Sequence, residues 1–110
     1  MDKSYLFSLR IVKLYVFLRE KKEFHLSGQI VRSGTSIGAN VEEAVEGSSR
    51  KDFKAKLDIA YKEARETRFW LRLLRDGSLL QCDLANSLIN DCEELIKILT
   101  AILNSVKRNT

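Results

Sequence analysis

Apolar residues recur along this chain at alternating spacings of four and three. Phe7, Ile11, Leu14 and Leu18 form one such line, and Leu9, Val12 and Val16 form a second beside it. Ile30, Gly34, Ile37, Val41 and Ala44 carry the same spacing through a second segment. In the third, Phe53, Leu57, Ala60, Ala64, Thr67, Leu71 and Leu74 hold it without interruption, and Ala85, Leu88, Cys92, Leu95, Leu99, Ile102 and Val106 do so in the fourth. This is the stripe of an amphipathic helix that packs at shallow angles on its neighbours. No strand-like alternation competes with it. The pattern predicts an all-α protein, a single domain over residues 1–110. Its architecture is expected to be an antiparallel up-down-up-down four-helix bundle with left-handed crossings.

Boundary signals set the segments. The first is expected to run from about Lys3 to Lys22. "REKKEFHLS" breaks the periodicity and places the lone His25 in a connection. Ser27 is the expected N-cap of the second helix and Gly47 its C-cap. Ser49 with Asp52 opens the third helix as a near capping box. At about 1.5 Å per residue that helix should be about 40 Å long, ending at "DGS". The fourth should begin between Leu79 and Leu84.

The stretch "SGTSIGANVEEA", residues 33–44, looks at first like a phosphate loop. It lacks the spacing of a Walker or dinucleotide motif, no strand precedes it and no lysine follows. As helix it has Gly34 and Gly38 one turn apart, each costing about 1 kcal/mol against alanine. Close approach of another helix must offset that cost. The neighbour could belong to the same bundle or to a second subunit. Gln29, Ser33, Ser36, Asn40 and Glu43 form a polar line beside the glycines, short residues that favour partial burial.

Composition excludes several classes. The chain has no proline, 45% hydrophobic and 31% charged residues, so neither disorder nor broken helices are expected. "YLFSLRIVKLYVFL" carries Arg10 and Lys13 and is too short to span a bilayer. No secretory signal opens the sequence, which predicts a cytoplasmic protein with no membrane contact. Cys82 and Cys92 are then expected as reduced thiols, with Cys92 on a core stripe. One histidine, with no cysteine or carboxylate pair at ligand spacing and no Glu-x-x-His, predicts neither enzyme, metal nor cofactor.

Charge is +4 overall but uneven. Residues 49–75 carry nine Lys or Arg against four Asp or Glu, whereas residues 27–48 carry one against three. Arg65, Arg68, Arg72 and Arg75 form a basic stripe on the third helix, with Lys54 and Tyr61 on the same line. Such a stripe repels itself and needs neutralising. The protein's own acids could do so, from Glu42, Glu43 and Glu46 or from Asp91, Glu93 and Glu94. So could nucleic-acid phosphates, which suit arginine's planar fork. Ile59, Phe69, Trp70 and Leu73 lie off the core stripe and are candidate contacts of a homo-oligomer.

"QIVRSGTSIGANVEEAVEGSSRKDF" with "KLDIAYKEARETRFWLRLL" resembles the bacterial four-helix bundle family of 23S rRNA intervening sequence proteins. Accessory variability determinants of diversity-generating retroelements are similar in fold. Arg32, Ser36, Ile37, Asn40 and Glu43, then Phe53, Ile59, Ala60 and Glu66, fit the pattern over about residues 29–80. Gly38 stands where many members have proline, which weakens the expected bend of the second helix, and Ala44 stands where many have glycine. The resemblance implies an oligomer, pentameric in characterised relatives, with RNA, DNA or a reverse transcriptase as partners. It implies no settled catalytic activity.

Overall fold

The computed structural model describes residues 2–47 and 49–108. They form an all-α four-helix bundle of α1 Asp2–Glu20, α2 Phe24–Glu46, α3 Arg50–Asp76 and α4 Cys82–Arg108. Each helix packs on the next in chain order, and α1 meets α4 only sparsely. Contacts across each pair run in opposite chain directions. Gly34 of α2 lies against Ile11 of α1 and Gly38 against Ser4 and Ser8. Arg32 and Glu43 of α2 reach Glu63 and Lys56 of α3. Arg68 and Arg75 of α3 reach Glu93 and Asn86 of α4.

The core is the periodic stripe. Phe7, Ile11, Leu14 and Leu18 are buried on α1, Ile30, Ile37, Val41 and Ala44 on α2. On α3 the line runs from Leu57 to Leu74, and on α4 from Ala85 to Leu99. Phe53, Ile102 and Leu103 are only half-buried, packed at the rim of this core. Lys3 of α1 pairs with Glu94, so α4 continues past the start of α1 and loses that helix as cover.

Helix ends follow local chemistry, with one correction. Ser49 caps α3 by accepting a 3.0 Å hydrogen bond from the Asp52 N–H. Ser27, expected as the cap of α2, lies inside it instead. The helix starts at Phe24, so His25 is in its first turn rather than in a connection. Ser27 is fully buried and donates its hydroxyl to the Phe24 carbonyl at 3.0 Å. Its place follows from phase, since 27 precedes 30, 34 and 37 on the same stripe. The cap position falls to Glu23, whose side chain makes no capping bond.

Two turns use left-handed residues that are not glycine. Lys22 has φ 64° and Ser78 φ 62°. In each turn the following residue bonds back across the helix end, Glu23 N–H to the Leu18 carbonyl and Leu79 N–H to the Leu74 carbonyl, both at 2.9 Å. This is a Schellman closure, which favours glycine at the left-handed position. At "DGS" glycine sits one residue early. Gly77 serves space, since an added Cβ would lie 2.9 Å from the Leu73 carbonyl. Ser78→Gly should therefore raise stability by about 0.5–1 kcal/mol, a few degrees in thermal midpoint by circular dichroism.

Candidate nucleic-acid interface

The basic stripe lies on α3 beside α4, and the structure separates its members. Arg68 stands 3.8 Å from Glu93 of α4. Arg75 donates from Nε to Asp76 at 2.8 Å and from a terminal nitrogen to Asn86 at 2.9 Å. The first of these bonds, with the Arg75 charge, holds the Asp76 carboxyl below its ordinary range. Lys54 is taken by Asp58 one turn along at 2.8 Å. Arg65 lies over the Tyr61 ring at 5.8 Å from its centroid, within the reach of about 6 Å for a cation–π contact. Arg65 and Arg72 are exposed, and among the described residues neither has a carboxylate at ion-pair distance.

Three of the six acids expected to neutralise this stripe are engaged elsewhere. Asp91 accepts from Arg10 at 2.6 Å and Glu94 from Lys3, both across the α1–α4 seam. Glu43 pairs with Lys56 at 3.4 Å. Glu42 and Glu46 reach no cation among the described residues. Across helices, Glu93 is the acid that meets the stripe.

On the α2–α3 side, Arg32 forks between Glu63, at 3.0 Å, and Glu66. The same Glu66 oxygen accepts from the Trp70 indole at 3.1 Å. One carboxylate thus links α2 to the ring that Phe69 meets edge-on, centroids 5.3 Å apart. Trp70 is half-buried against the core, while Ile59, Phe69 and Leu73 are exposed. The polar line of α2 is graded in depth. Ser33 is fully buried and lies 2.9 Å from the Thr67 hydroxyl. Ser36 and Asn40 are half-buried and bond the carbonyls one turn back, at 2.7 and 2.8 Å. Glu43 is exposed.

The glycines face their own chain. A Cβ built on Gly34 would lie 2.7 Å from Ile11 Cγ2, and one on Gly38 would lie 2.9 Å from Ser8 Oγ. Both contacts are with α1 of the same bundle.

A model of the 23S rRNA-intervening sequence protein family matches residues 1–101. The chain belongs to that family. A solved relative agrees over nearly the whole bundle: a protein of unknown function from the S23 ribosomal protein family of Bacteroides thetaiotaomicron. It is 51% identical, with 93% of this chain and 95% of that one covered, at a TM-score of 0.90. No curated protein matches the chain. Within the family's fold, Arg32 and Glu66 join α2 to α3, and Ser36 and Asn40 are tied to their own helix. These motif residues are bonded structural elements.

Other chemistry is sparse among the described residues. No group of three His, Cys, Asp or Glu there could hold a metal ion. No helix is long and apolar enough to cross a membrane. Cys82 is exposed. Cys92 is buried, its thiol donates to the Ala64 carbonyl at 3.2 Å, and burial pushes its pKa up to about 12. A thiol so held is a core side chain and not a nucleophile.

Proposed function

We propose that this family member is a cytoplasmic, non-enzymatic homo-oligomeric scaffold whose α3–α4 face engages RNA or DNA phosphates. The subunit number that the family resemblance implies is five. The observation that carries the reading is the pair of exposed guanidinium groups, Arg65 and Arg72, with no carboxylate at ion-pair distance among the described residues, although the Asp76 carboxyl feels the Arg72 charge, on a face that also holds Arg68 and Arg75. Arg68 is held only loosely, at 3.8 Å. Arginine contacts of this kind recognise the backbone without sequence preference, and repetition around an assembly multiplies them.

A rival reading has its own observation. Arg68, Arg75 and Lys54 each have a carboxylate partner. On that reading the stripe is self-neutralised and the bundle is a structural or protein-interaction module. A salt series distinguishes the two. Binding of short fluorescent RNA and DNA should fall linearly in log–log form, and Arg65→Gln/Arg72→Gln should reduce the slope by about 1–2 per bundle engaged. Absence of binding at low salt, or an unchanged slope in a variant that keeps its fold and assembly, refutes the phosphate role.

A further inference from the structure

Four of the five glycines have a visible reason. Gly34 and Gly38 admit α1, Gly47 ends α2, and Gly77 fits against the Leu73 carbonyl. Gly28 differs. It lies inside α2, it is exposed, and a Cβ added to it would meet nothing within 4 Å. Glycine is the poorest helix former after proline, so a solvent-facing helix position gains nothing from it. What it leaves bare is specific. A helical side chain leans over the turn N-terminal to its own Cα, so one at 28 would lie along Phe24, one turn before. Phe24 is 54% exposed, and the Arg19 guanidinium sits 5.1 Å from its ring centroid and 5.5 Å from that of Tyr15. Toward α4, Lys21 lies 5.5 Å from the centroid of the exposed Phe17 ring. Arg19, Lys21 and Lys22 are exposed, and among the described residues none has a carboxylate at ion-pair distance. Residues 13–25 carry four Lys or Arg against Glu20 and Glu23, so this end stays positive. A cleft of about 650 Å³, lined by Phe17, Lys21, Arg75 and Leu79 among others, joins it to the basic stripe of α3.

We infer that the α1–α2 end of the bundle holds unpaired bases of a single-stranded nucleic acid, one of them stacked on the Phe24–Arg19 platform beside Gly28. The inference rests on the nucleic-acid reading above and adds what that reading lacks, a site that tells single strand from duplex. Aromatic rings and guanidinium planes can stack on the π-face of any base, whereas in a duplex those faces are already stacked on one another. The charge suits the same ligand. Cations interleaved with the rings attract a phosphate chain, and the rings hold its bases. The bare backbone at 28 gives a flat base, with its sugar, room to lie against the helix.

The test measures binding, at low salt, of a fluorescent RNA of about 12 nucleotides, either single-stranded or annealed to its complement. Wild type should bind the single strand more tightly. Phe24→Ala should weaken single-strand binding about 5-fold or more, the loss of one stacked base, and leave duplex binding unchanged. Gly28→Leu is the sharper variant. It should raise the thermal midpoint by circular dichroism, since leucine is the better helix former and enters open space, and still weaken the single strand to a similar degree. Arg65→Gln/Arg72→Gln should weaken both forms together. Wild type that binds neither form overturns the nucleic-acid reading and this inference with it. Duplex binding as tight as single-strand binding, or a Gly28→Leu protein with full single-strand affinity, overturns the stacking site alone. So does a Gly28→Leu protein whose mass by light scattering differs from that of wild type, which would make the bare helix a contact between protein chains.

Discussion

Gly34→Leu is expected to cost about 3 kcal/mol or more, a large share of the roughly 5–15 kcal/mol that holds a domain of this size together. Gly34→Ala should cost about 1–2 kcal/mol. Two effects of opposite sign meet at this position. Alanine is better than glycine in a helix by about 1 kcal/mol. Against that, its Cβ would lie 2.7, 2.9 and 3.2 Å from three carbons of Ile11. Ile11 is fully buried and branched at Cβ, so its side chain has nowhere to rotate and α1 must move away from α2. Leucine would add three more carbons to a gap that does not hold one. Gly38→Ala is the internal control. Its Cβ would meet the Ser8 hydroxyl at 2.9 Å, which can turn away at the loss of its bond to the Ser4 carbonyl, and that backbone carbonyl oxygen at 3.3 Å, which needs to give by only a few tenths of an ångström. That variant should stay within about 1 kcal/mol of wild type, the helix gain offsetting the lost bond. Chemical denaturation of the three variants reads the order. Equal effects at 34 and 38 would mean that α1 yields at both points, and the close approach of α1 would not explain the glycines.

The glycines show what periodicity can and cannot say. Their spacing placed them on the buried line of α2 with Ile30, Ile37 and Val41, and that line was legible because burial repeats every three or four residues in any packed helix. The identity of the neighbour was not legible. A missing side chain signals close approach without naming the partner, and both a same-chain and a second-subunit partner satisfied the pattern. Position in the bundle decides between them, because Ile11 and Ser8 come from α1. The same distinction runs through the charges. The arginine stripe was readable from its 3-4-3 spacing, whereas its neutralisation was not. Pairing depends on which acids the fold brings across a seam, and it gives Asp91 and Glu94 to α1 while leaving Glu93 for Arg68. Ser27 was misplaced for a related reason. A capping rule weighs four or five residues, but the hold of Leu26, Ser27 and Ile30 on the core extends the helix back to Phe24. The outer line of α1 was visible as a second apolar row. Its exposure is a tertiary fact, since only the finished bundle shows that the described residues leave it uncovered.

Thr67→Val should destabilise the bundle by about 1–2 kcal/mol, although it keeps the volume and branching of the side chain. Thr67 and Ser33 are both fully buried where α3 faces α2. Thr67 Oγ1 lies 2.9 Å from Ser33 Oγ and 2.8 Å from the Glu63 carbonyl. One hydroxyl carries one proton. The arrangement is satisfied when Ser33 donates to Thr67 and Thr67 donates back to its own helix. Among the described residues, the buried side-chain oxygens and nitrogens all have partners. Valine removes the acceptor that Ser33 uses and leaves its hydroxyl in an apolar seam, where a buried polar group without its partner costs more than the bond itself is worth. Removing the second hydroxyl should then undo much of the damage. Ser33→Ala/Thr67→Val is expected to lie within about 0.5 kcal/mol of wild type, because no orphaned group remains and alanine is a better helix former than serine. A double-mutant cycle in urea measures this as a coupling between the two sites. Additive losses would show that each hydroxyl is satisfied by its own helix alone, and that the contact joining α2 to α3 at this level is packing rather than a hydrogen bond.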